Sequence, residues 1–160
     1  MLNIRILVVG KIKEKYFTAA LAEYLKRLSR FARTEIVEVK DEATPEKASS
    51  SDNERILQNE GQRLIEKIDH RDFVFALAIE GKLISSENLA AEMNRLPIDG
   101  YSTIDFVIGG SLGLSNEVKK RANTKISFGR ITLPHQLARV VLCEQVYRAF
   151  MINEGSPYHK

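Results

Sequence analysis

Apolar residues along the chain form short continuous runs that alternate with longer stretches of helical spacing. The runs are rich in β-branched and aromatic residues and are bounded by glycine or polar positions, which predicts strands. They cover residues 3–9, 34–39, 72–79, 103–108 and 125–128. The run at 72–79 is apolar almost throughout, a pattern typical of a central strand that is buried on both faces.

The stretches between these strands predict five helices, because their apolar residues recur at intervals of three and four. Asp52 is the predicted N-cap of the second helix, which runs to about residue 68. Ser85 or Ser86 caps the third helix, and Pro134 stands where the first position of the last helix is expected. The predicted helices cover residues 14–28, 52–68, 86–96, 115–122 and 134–153.

Strands that alternate with helices predict an α/β fold with a mostly parallel sheet that is covered on both faces. The chain shows no internal repeat and no break in composition, so we expect one domain over residues 1–160. In sheets of this kind, ligands bind beyond the carboxyl ends of the strands. The turns of interest are therefore residues 10–13, 80–85, 109–114 and 128–133.

A glycine-rich turn with Gly109, Gly110 and Gly113 follows the fourth predicted strand. Its spacing matches neither the dinucleotide-binding fingerprint nor the phosphate-binding P-loop, which disfavours a nicotinamide-dependent dehydrogenase. Two interpretations stay open. The glycines belong either to a tight strand-to-helix turn that needs their backbone angles, or to a loop whose backbone closely approaches a ligand.

The last predicted helix is apolar around nearly its whole circumference between residues 137 and 152. One packed face cannot bury such a helix, so we expect it to pack inside its own subunit and against a second subunit. Glu144 and Arg148 have the spacing of an ion pair between successive helical turns. Arg148 is accordingly either half of a structural ion pair or a cation held for a phosphate or a base.

Composition and charge narrow the class of protein. The chain has 160 residues, one cysteine (Cys143), three dispersed histidines and no apolar run near the ~20 residues of a membrane span. We therefore expect no disulfide, no metal and no membrane partner, and the absence of a signal-peptide layout predicts a cytoplasmic protein. The net charge of +3, from 24 Lys and Arg against 21 Asp and Glu, fits either a nucleic-acid partner or an ordinary solvated surface.

Five distinctive segments are spread over the whole length of the chain. They read V-G-K-I-K-E-K-Y from residue 9, E-G-Q-R-L from residue 60, F-V-I-G-G-S-L-G-L from residue 106, S-F-G-R-I-T-L-P-H-Q-L-A-R-V-V-L-C-E-Q-V-Y-R-A-F from residue 127, and P-Y-H-K from residue 157. Together and in this order they resemble the RlmH family of the SPOUT superfamily of methyltransferases.

The resemblance implies an α/β domain whose C-terminal part forms a trefoil knot, with S-adenosylmethionine bound in loops of the knot. It also implies an obligate homodimer that methylates N3 of a pseudouridine in 23S ribosomal RNA of the assembled ribosome, without a metal. The positions that match the family's cofactor site are Leu77, Gly109, Phe128, Gly129, Arg130, Ile131, Thr132 and Leu133.

The catalytic candidates that the resemblance implies are Arg148, Tyr158 and His159, at the interface of the dimer. His159 either accepts the N3 proton or, with Tyr158, positions the base, and Arg148 favours negative charge on the base or holds a phosphate. Alternative functions are a SPOUT-type tRNA methyltransferase and a non-catalytic module that binds S-adenosylmethionine or the ribosome. Candidate phosphate contacts, for which a solvated surface is the alternative, are Lys11, Lys13, Lys15, Arg27, Arg30 and Arg33.

Overall fold

A computed structural model describes residues 1–160 as five strands and five helices in strict alternation, in agreement with the sequence pattern. The elements are β1 (Leu2–Val9), α1 (Lys15–Leu28), β2 (Ala32–Val39), α2 (Ser50–Ile65), β3 (Phe73–Leu83), α3 (Ser86–Ile98), β4 (Thr103–Ile108), α4 (Asn116–Arg121), β5 (Thr124–Ser127) and α5 (His135–Asn153).

The strands form one sheet in the order β2-β1-β4-β3-β5, in which every neighbouring pair is parallel. Helices α1, α3 and α5 cover one face around Ile6 and Phe106, and α2 and α4 cover the other around Leu7 and Val107. The predicted α/β class with a doubly covered parallel sheet is therefore confirmed. The order of the strands does not show whether one segment of the chain passes through a loop formed by another. The trefoil knot therefore stays a prediction.

Two helix starts differ from the sequence prediction. Ser49, not Asp52, is the N-cap of α2: the Ser49 hydroxyl accepts the N–H of Asp52 at 3.1 Å, and the Asp52 carboxylate accepts the N–H of Ser49 at 3.0 Å. This reciprocal capping box satisfies two backbone donors at once. Pro134 is the cap of α5, whose first helical residue is His135.

Helix α5 contacts both α1 and α3. Leu142, Cys143, Val146 and Ala149 are fully buried there, which confirms that the helix packs inside its own subunit. Burial raises the pKa of the Cys143 thiol to about 12, so this cysteine is a packing residue and not a nucleophile. None of the five helices combines the length and the apolar character that crossing a bilayer requires.

A buried ionic cluster lies near the amino ends of β3 and β4. The guanidinium of Arg5 lies 3.3 Å from a carboxylate oxygen of Asp72 and 3.3 Å from one of Asp105, which is completely buried. Burial raises the pKa of Asp105 to about 7, and Asp72 adds to the shift while Arg5 opposes it. The acid therefore ionises only at a cost in stability.

We expect the free energy of unfolding to fall as pH rises from about 4 to about 7 through this residue, because the folded pKa exceeds the ordinary value of 3.8. Asp105→Asn removes the titration, so the variant loses less stability than the native protein between pH 5 and pH 8. Urea unfolding of both proteins at the two pH values measures this difference. Equal losses in the two proteins would contradict the assignment.

Candidate cofactor cleft and catalytic tail

A cleft opens at the carboxyl ends of β3, β4 and β5, the edge at which parallel sheets bind ligands. Its volume of about 640 Å³ is that of a small-molecule site. Seven of the eight residues predicted to bind the cofactor line it, and Arg130 does not. The seven are Leu77, Gly109, Phe128, Gly129, Ile131, Thr132 and Leu133.

The glycine turn after β4 forms one wall of the cleft. The N–H of Gly113 donates to the carbonyl oxygen of Gly110 at 3.0 Å, and Gly113 has a φ of +84°. A β-carbon on Gly109 would lie 2.3 Å from the carbonyl oxygen of Gly113, so only glycine lets the turn fold back this tightly. The tight-turn interpretation is therefore confirmed, and the same turn presents its backbone to the cleft.

Residues 128–133 form a second wall. The hydroxyl of Ser127 accepts the N–H of Gly129 at 3.1 Å, and Gly129 has a φ of +118°, which side-chain-bearing residues rarely adopt. Phe128 and Ile131 are 37% and 83% exposed at the rim. This loop therefore carries an apolar surface that faces solvent in the single chain.

Strand β3 supplies a third wall because its pairing with β5 breaks after Leu77 and resumes at Lys82. Ala78 leaves the ladder there and lines the cleft. Gly81 lets the two strands approach, since a β-carbon on it would lie 2.8 Å from backbone atoms of Ile126. The predicted end of the strand at residue 79 was thus too early, because apolar spacing does not reveal a bulge.

Arg139 ties the first turns of α5 to the end of β1. Its guanidinium is 1% exposed and donates from Nη2 to the carbonyl oxygens of Val9 at 2.8 Å and Gly10 at 2.9 Å. One turn earlier, His135 lines the cleft, and burial together with Arg139 lowers the pKa of its imidazole. His135 is therefore a neutral group on the cleft wall.

The cleft suits the S-adenosyl group that the resemblance implies. No charged residue lines it, and its walls combine apolar side chains such as Ile108 and Ile126 with the backbone of two glycine-bearing loops. An adenosyl group presents an apolar ring with polar edges, for which such a lining offers both apolar contact and backbone hydrogen bonds. A side chain on Gly109 would push the glycine turn out of its position in this wall.

A second cluster joins the C-terminal tail to the middle of α5, and it brings together all three predicted catalytic residues. Arg148 donates to Oε1 of Glu144 from Nε at 2.9 Å and from Nη2 at 2.6 Å. The Tyr158 hydroxyl donates to the same oxygen at 3.1 Å, and the Arg148 guanidinium lies 4.8 Å from the Tyr158 ring centre. The tail is therefore held by specific contacts.

His159 is held through both of its ring nitrogens. Nδ1 lies 3.1 Å from Nη1 of Arg148, and Nε2 lies 2.6 Å from Oε1 of Glu87. A guanidinium nitrogen only donates, so Nδ1 is the acceptor and the hydrogen resides on Nε2, from which it is donated to Glu87. These contacts select the neutral tautomer whose lone pair faces Arg148.

The tail residues differ in how they exchange protons. The hydrogen bond to Glu144 raises the pKa of Arg148, and burial followed by the Glu144 charge raises the pKa of Tyr158. The hydrogen bond from His159 lowers the pKa of Glu87. Arg148 is therefore a permanent cation and Tyr158 a neutral donor, whereas Nδ1 of His159 carries a lone pair.

The cleft and the tail cluster lie apart within one chain. Ala138 lines the cleft, and Arg148 follows ten residues later on α5, which corresponds to about 15 Å along the helix. Arg148, Tyr158 and His159 do not line the cleft. A single chain therefore holds both halves of the predicted site without joining them.

Sequence reasoning missed Glu87 and anticipated His70. Glu87 stands in the first turn of α3, 72 residues from its partner His159, and nothing in the local sequence marks that contact. His70 lies at the surface as predicted, with its side chain 88% exposed. No group of three or more His, Cys, Asp or Glu residues is arranged to hold a metal ion.

The chain is similar over its whole length to known methyltransferases. A family model described as "Predicted SPOUT methyltransferase" matches residues 2–159. Proteins named Ribosomal RNA large subunit methyltransferase H are 78% identical in Oenococcus oeni, 64% in Lactiplantibacillus plantarum and 57% in Streptococcus pneumoniae strain CGSP14. The alignments cover 100%, 99% and 99% of this chain, and 100% of each relative.

Solved structures support the fold. A probable methylase family protein from Haemophilus influenzae Rd KW20 has a TM-score of 0.52 at 14% identity, over 98% of this chain and 70% of its own. A second structure, described as a hypothetical protein, has a TM-score of 0.51 at 13% identity. The match covers 94% of this chain and 68% of the other chain. On the family match and the 57–78% identical relatives, this chain belongs to the SPOUT methyltransferase family that includes the Ribosomal RNA large subunit methyltransferase H proteins.

Proposed function

We propose that this chain uses S-adenosylmethionine to methylate N3 of a pseudouridine in 23S ribosomal RNA of the assembled ribosome. The observation that carries the proposal is the cleft at the carboxyl edge of the sheet, lined by seven residues that match the family's cofactor positions. Full-length relatives named as methyltransferases of large-subunit ribosomal RNA support the substrate. Residues 1–160 act as one catalytic domain, in the cytoplasm with the ribosomes.

The active unit is a homodimer built on one stripe of α5. Leu137, Val141, Glu144, Arg148 and Met151 recur at alternating intervals of four and three, which places them on one helical face. The three apolar members are half-buried and belong to neither core cluster. A second subunit on this stripe would cover them together with the ion pair of Glu144 and Arg148.

The dimer completes the catalytic site. Exposed apolar side chains, Ile79, Phe128 and Ile131, surround the cleft and extend the uncovered surface. A two-fold axis across α5 brings the tail of one subunit towards the cleft of the other, which removes the separation of about 15 Å seen in the single chain. The site then holds the methyl donor from one chain and Arg148, Tyr158 and His159 from its partner.

The chemistry required of the protein is the handling of one proton and one developing charge. When bound, S-adenosylmethionine would supply an electrophilic methyl group, whose bond to sulfur breaks as the bond to nitrogen forms, with S-adenosylhomocysteine as the neutral leaving group. N3 of pseudouridine must lose its hydrogen as the N–C bond forms, and His159 either accepts that proton at Nδ1, after the substrate displaces the Arg148 contact, or positions the base together with Tyr158. Arg148 stabilises negative charge that develops on the base carbonyl oxygens.

The segment after β1 supplies a surface for RNA on the same edge as the cleft. Lys11, Lys13 and Lys15 are exposed and form no ion pair within the chain, and Tyr16 beside them is 68% exposed. Free ammonium groups next to an exposed aromatic ring suit phosphates and unstacked bases. Arg27 is less available, because it pairs with Glu23 at 3.0 Å.

The decisive experiment uses ribosomes from cells that lack this gene. Assembled ribosomes, separate large subunits and bulk tRNA are each incubated with the protein and radiolabelled S-adenosylmethionine. Label at a pseudouridine of 23S RNA, strongest in assembled ribosomes, is the expected result. Label confined to tRNA would overturn the substrate, and cofactor binding without any label would support the non-catalytic binding module instead.

The composite site makes a separate prediction. Gly109→Ala disables the cleft and His159→Gln disables the tail, so each homodimer is inactive. In co-expressed mixtures, a heterodimer holds one intact site, and random pairing restores about a quarter of the native activity. Ribosome methylation by the mixture measures the recovery, with a mixture of His159→Gln and Arg148→Gln as the control that should stay inactive. Equal activity in the two mixtures would contradict a site shared between subunits.

A further inference from the structure

The segment E-G-Q-R-L places two unusual residues on α2. Glu60 is 5% exposed although it is an acid, and Gly61 is buried inside a helix, where glycine is destabilising relative to alanine. Neither residue belongs to the cleft or to the tail cluster. Glu60 lies behind the glycine turn, and Gly61 lies against the start of α4.

Glu60 lies directly behind the glycine turn. Its Oε1 atom is 3.1 Å from the position that a β-carbon on Gly110 would occupy, and it is buried without a hydrogen-bond partner. Its Oε2 atom accepts the N–H of Glu42 at 3.0 Å, which fixes the carboxyl group. The carboxyl group therefore fills the space behind Gly110 and links the turn to the segment after β2.

Gly61 packs against Ser115, at the other end of residues 109–115. A β-carbon on Gly61 would lie 2.2 Å from Oγ and 2.8 Å from Cβ of Ser115. Ser115 is the N-cap of α4, where its hydroxyl accepts the N–H of Val118 at 3.3 Å. The missing side chain at position 61 therefore lets the cap of α4 lie against α2.

We propose that Glu60 and Gly61 are positioning residues that hold residues 109–115 in the shape that receives the methyl donor. Glu60 supports the turn behind Gly110, and Gly61 fixes Ser115, where the turn passes into α4. The inference rests on the proposed function for the identity of the ligand. It adds a layer behind the cleft wall that controls cofactor affinity without touching the cofactor.

The surroundings of Glu60 favour its neutral form. Burial raises the pKa of the carboxyl group, and the charges of Asp41 and Glu42 raise it further, while the hydrogen bond from the Glu42 backbone and the charge of Arg63 oppose them. Val9, which lies beside the same space next to Gly110, carries no charge. A neutral glutamine therefore reproduces the group, whereas alanine leaves the space behind Gly110 empty.

Calorimetric binding of S-adenosylhomocysteine tests the role of Glu60. Glu60→Ala lowers the affinity about tenfold, and Glu60→Gln keeps it within about threefold. The affinity of the native protein falls as pH rises and Glu60 ionises, and Glu60→Gln abolishes this dependence. Glu54→Ala, which removes an exposed acid from the same helix, is the matched control and binds as the native protein does.

Hydrogen exchange of the unliganded proteins provides a second readout. Glu60→Ala speeds exchange of the amides of residues 109–115 and leaves the amides of β1 unchanged. If the alanine variant binds the ligand normally with a native pH profile, Glu60 has no positioning role. If the native protein itself does not bind S-adenosylhomocysteine, the proposed function fails, which is a different outcome.

Gly61 is tested by a compensating pair. Gly61→Ala displaces Ser115 and weakens S-adenosylhomocysteine binding about tenfold. Adding Ser115→Gly removes both crowded atoms, and glycine is itself a tolerable N-cap, so the double variant recovers most of the affinity. Failure of the second substitution to restore binding, in a protein that melts cooperatively, would remove Gly61 from the proposal.

Discussion

Replacing His159 with glutamine lowers the rate of methyl transfer to ribosomes by about 10²- to 10³-fold and leaves S-adenosylhomocysteine binding unchanged. Glutamine keeps a hydrogen-bond donor and acceptor but cannot take up a proton. His159 also contacts Arg148 on α5 and Glu87 on α3, so its replacement disturbs the contact between the tail and each of these helices. Single-turnover methylation of gene-deleted ribosomes measures the loss.

His70→Gln is the matched control for this prediction. It makes the same chemical change at an exposed histidine far from both halves of the site, and native activity is expected. Activity of His159→Gln within threefold of the native rate would exclude His159 from the mechanism. The pH–rate profile separates the two roles of His159: an acid limb that disappears in the variant indicates a base, and an unchanged limb at lower rate indicates positioning.

Replacing Gly109 with alanine lowers the affinity for S-adenosylhomocysteine by about 100-fold. The added methyl group would lie 2.3 Å from a backbone oxygen of Gly113, so the turn itself must move, and a displacement of about 1 Å in a positioning element can cost that much. Isothermal calorimetry measures the affinity. On the proposed function both loops of the cleft would contact the methyl donor, so methylation falls in parallel.

Gly100→Ala separates this effect from loss of stability. Gly100 has a φ of +99°, so alanine is strained there, yet its β-carbon meets no atom within 4 Å and the position is remote from the cleft. The control variant is therefore destabilised and binds the ligand normally. If Gly109→Ala binds within threefold of the native protein, the turn does not form the cofactor wall.

The elements of the fold were predictable because each has a characteristic spacing of apolar residues and is bounded by glycine, proline or polar residues. Five apolar runs and five helical stretches are present at the predicted places. The extension of β3 was not, because its residues beyond Leu77 pair with β5 only after a break that depends on Gly81 and Ile126 meeting across the sheet. Asp52 was assigned as the cap since serine and aspartate both serve in that position, and only the backbone shows which one does.

Some residues of the candidate site were likewise predictable from the sequence, and others were not. The glycine turn and the loop at 128–133 follow strands of a parallel sheet, and strand order alone directs attention to them. The tail does not: a chain end is normally frayed, and only the family resemblance placed Tyr158 and His159 in the site. Glu87 and Arg139 act through partners that are distant in sequence, so their contacts emerge only from the folded chain.

The ionic cluster around Asp105 lies at the edge of the sheet opposite the cleft. Residues that affect the stability of the fold at that edge are therefore separated from the residues of the candidate site. Substitutions that reinforce the amino edge can raise the melting temperature without altering the catalytic groups. Asp105→Asn removes the pH-dependent cost of ionising this buried acid, so the variant keeps its stability better than the native protein as pH rises. A protein strengthened in this way is a suitable parent for altering the cleft, since it tolerates losses of stability that would otherwise be mistaken for losses of function.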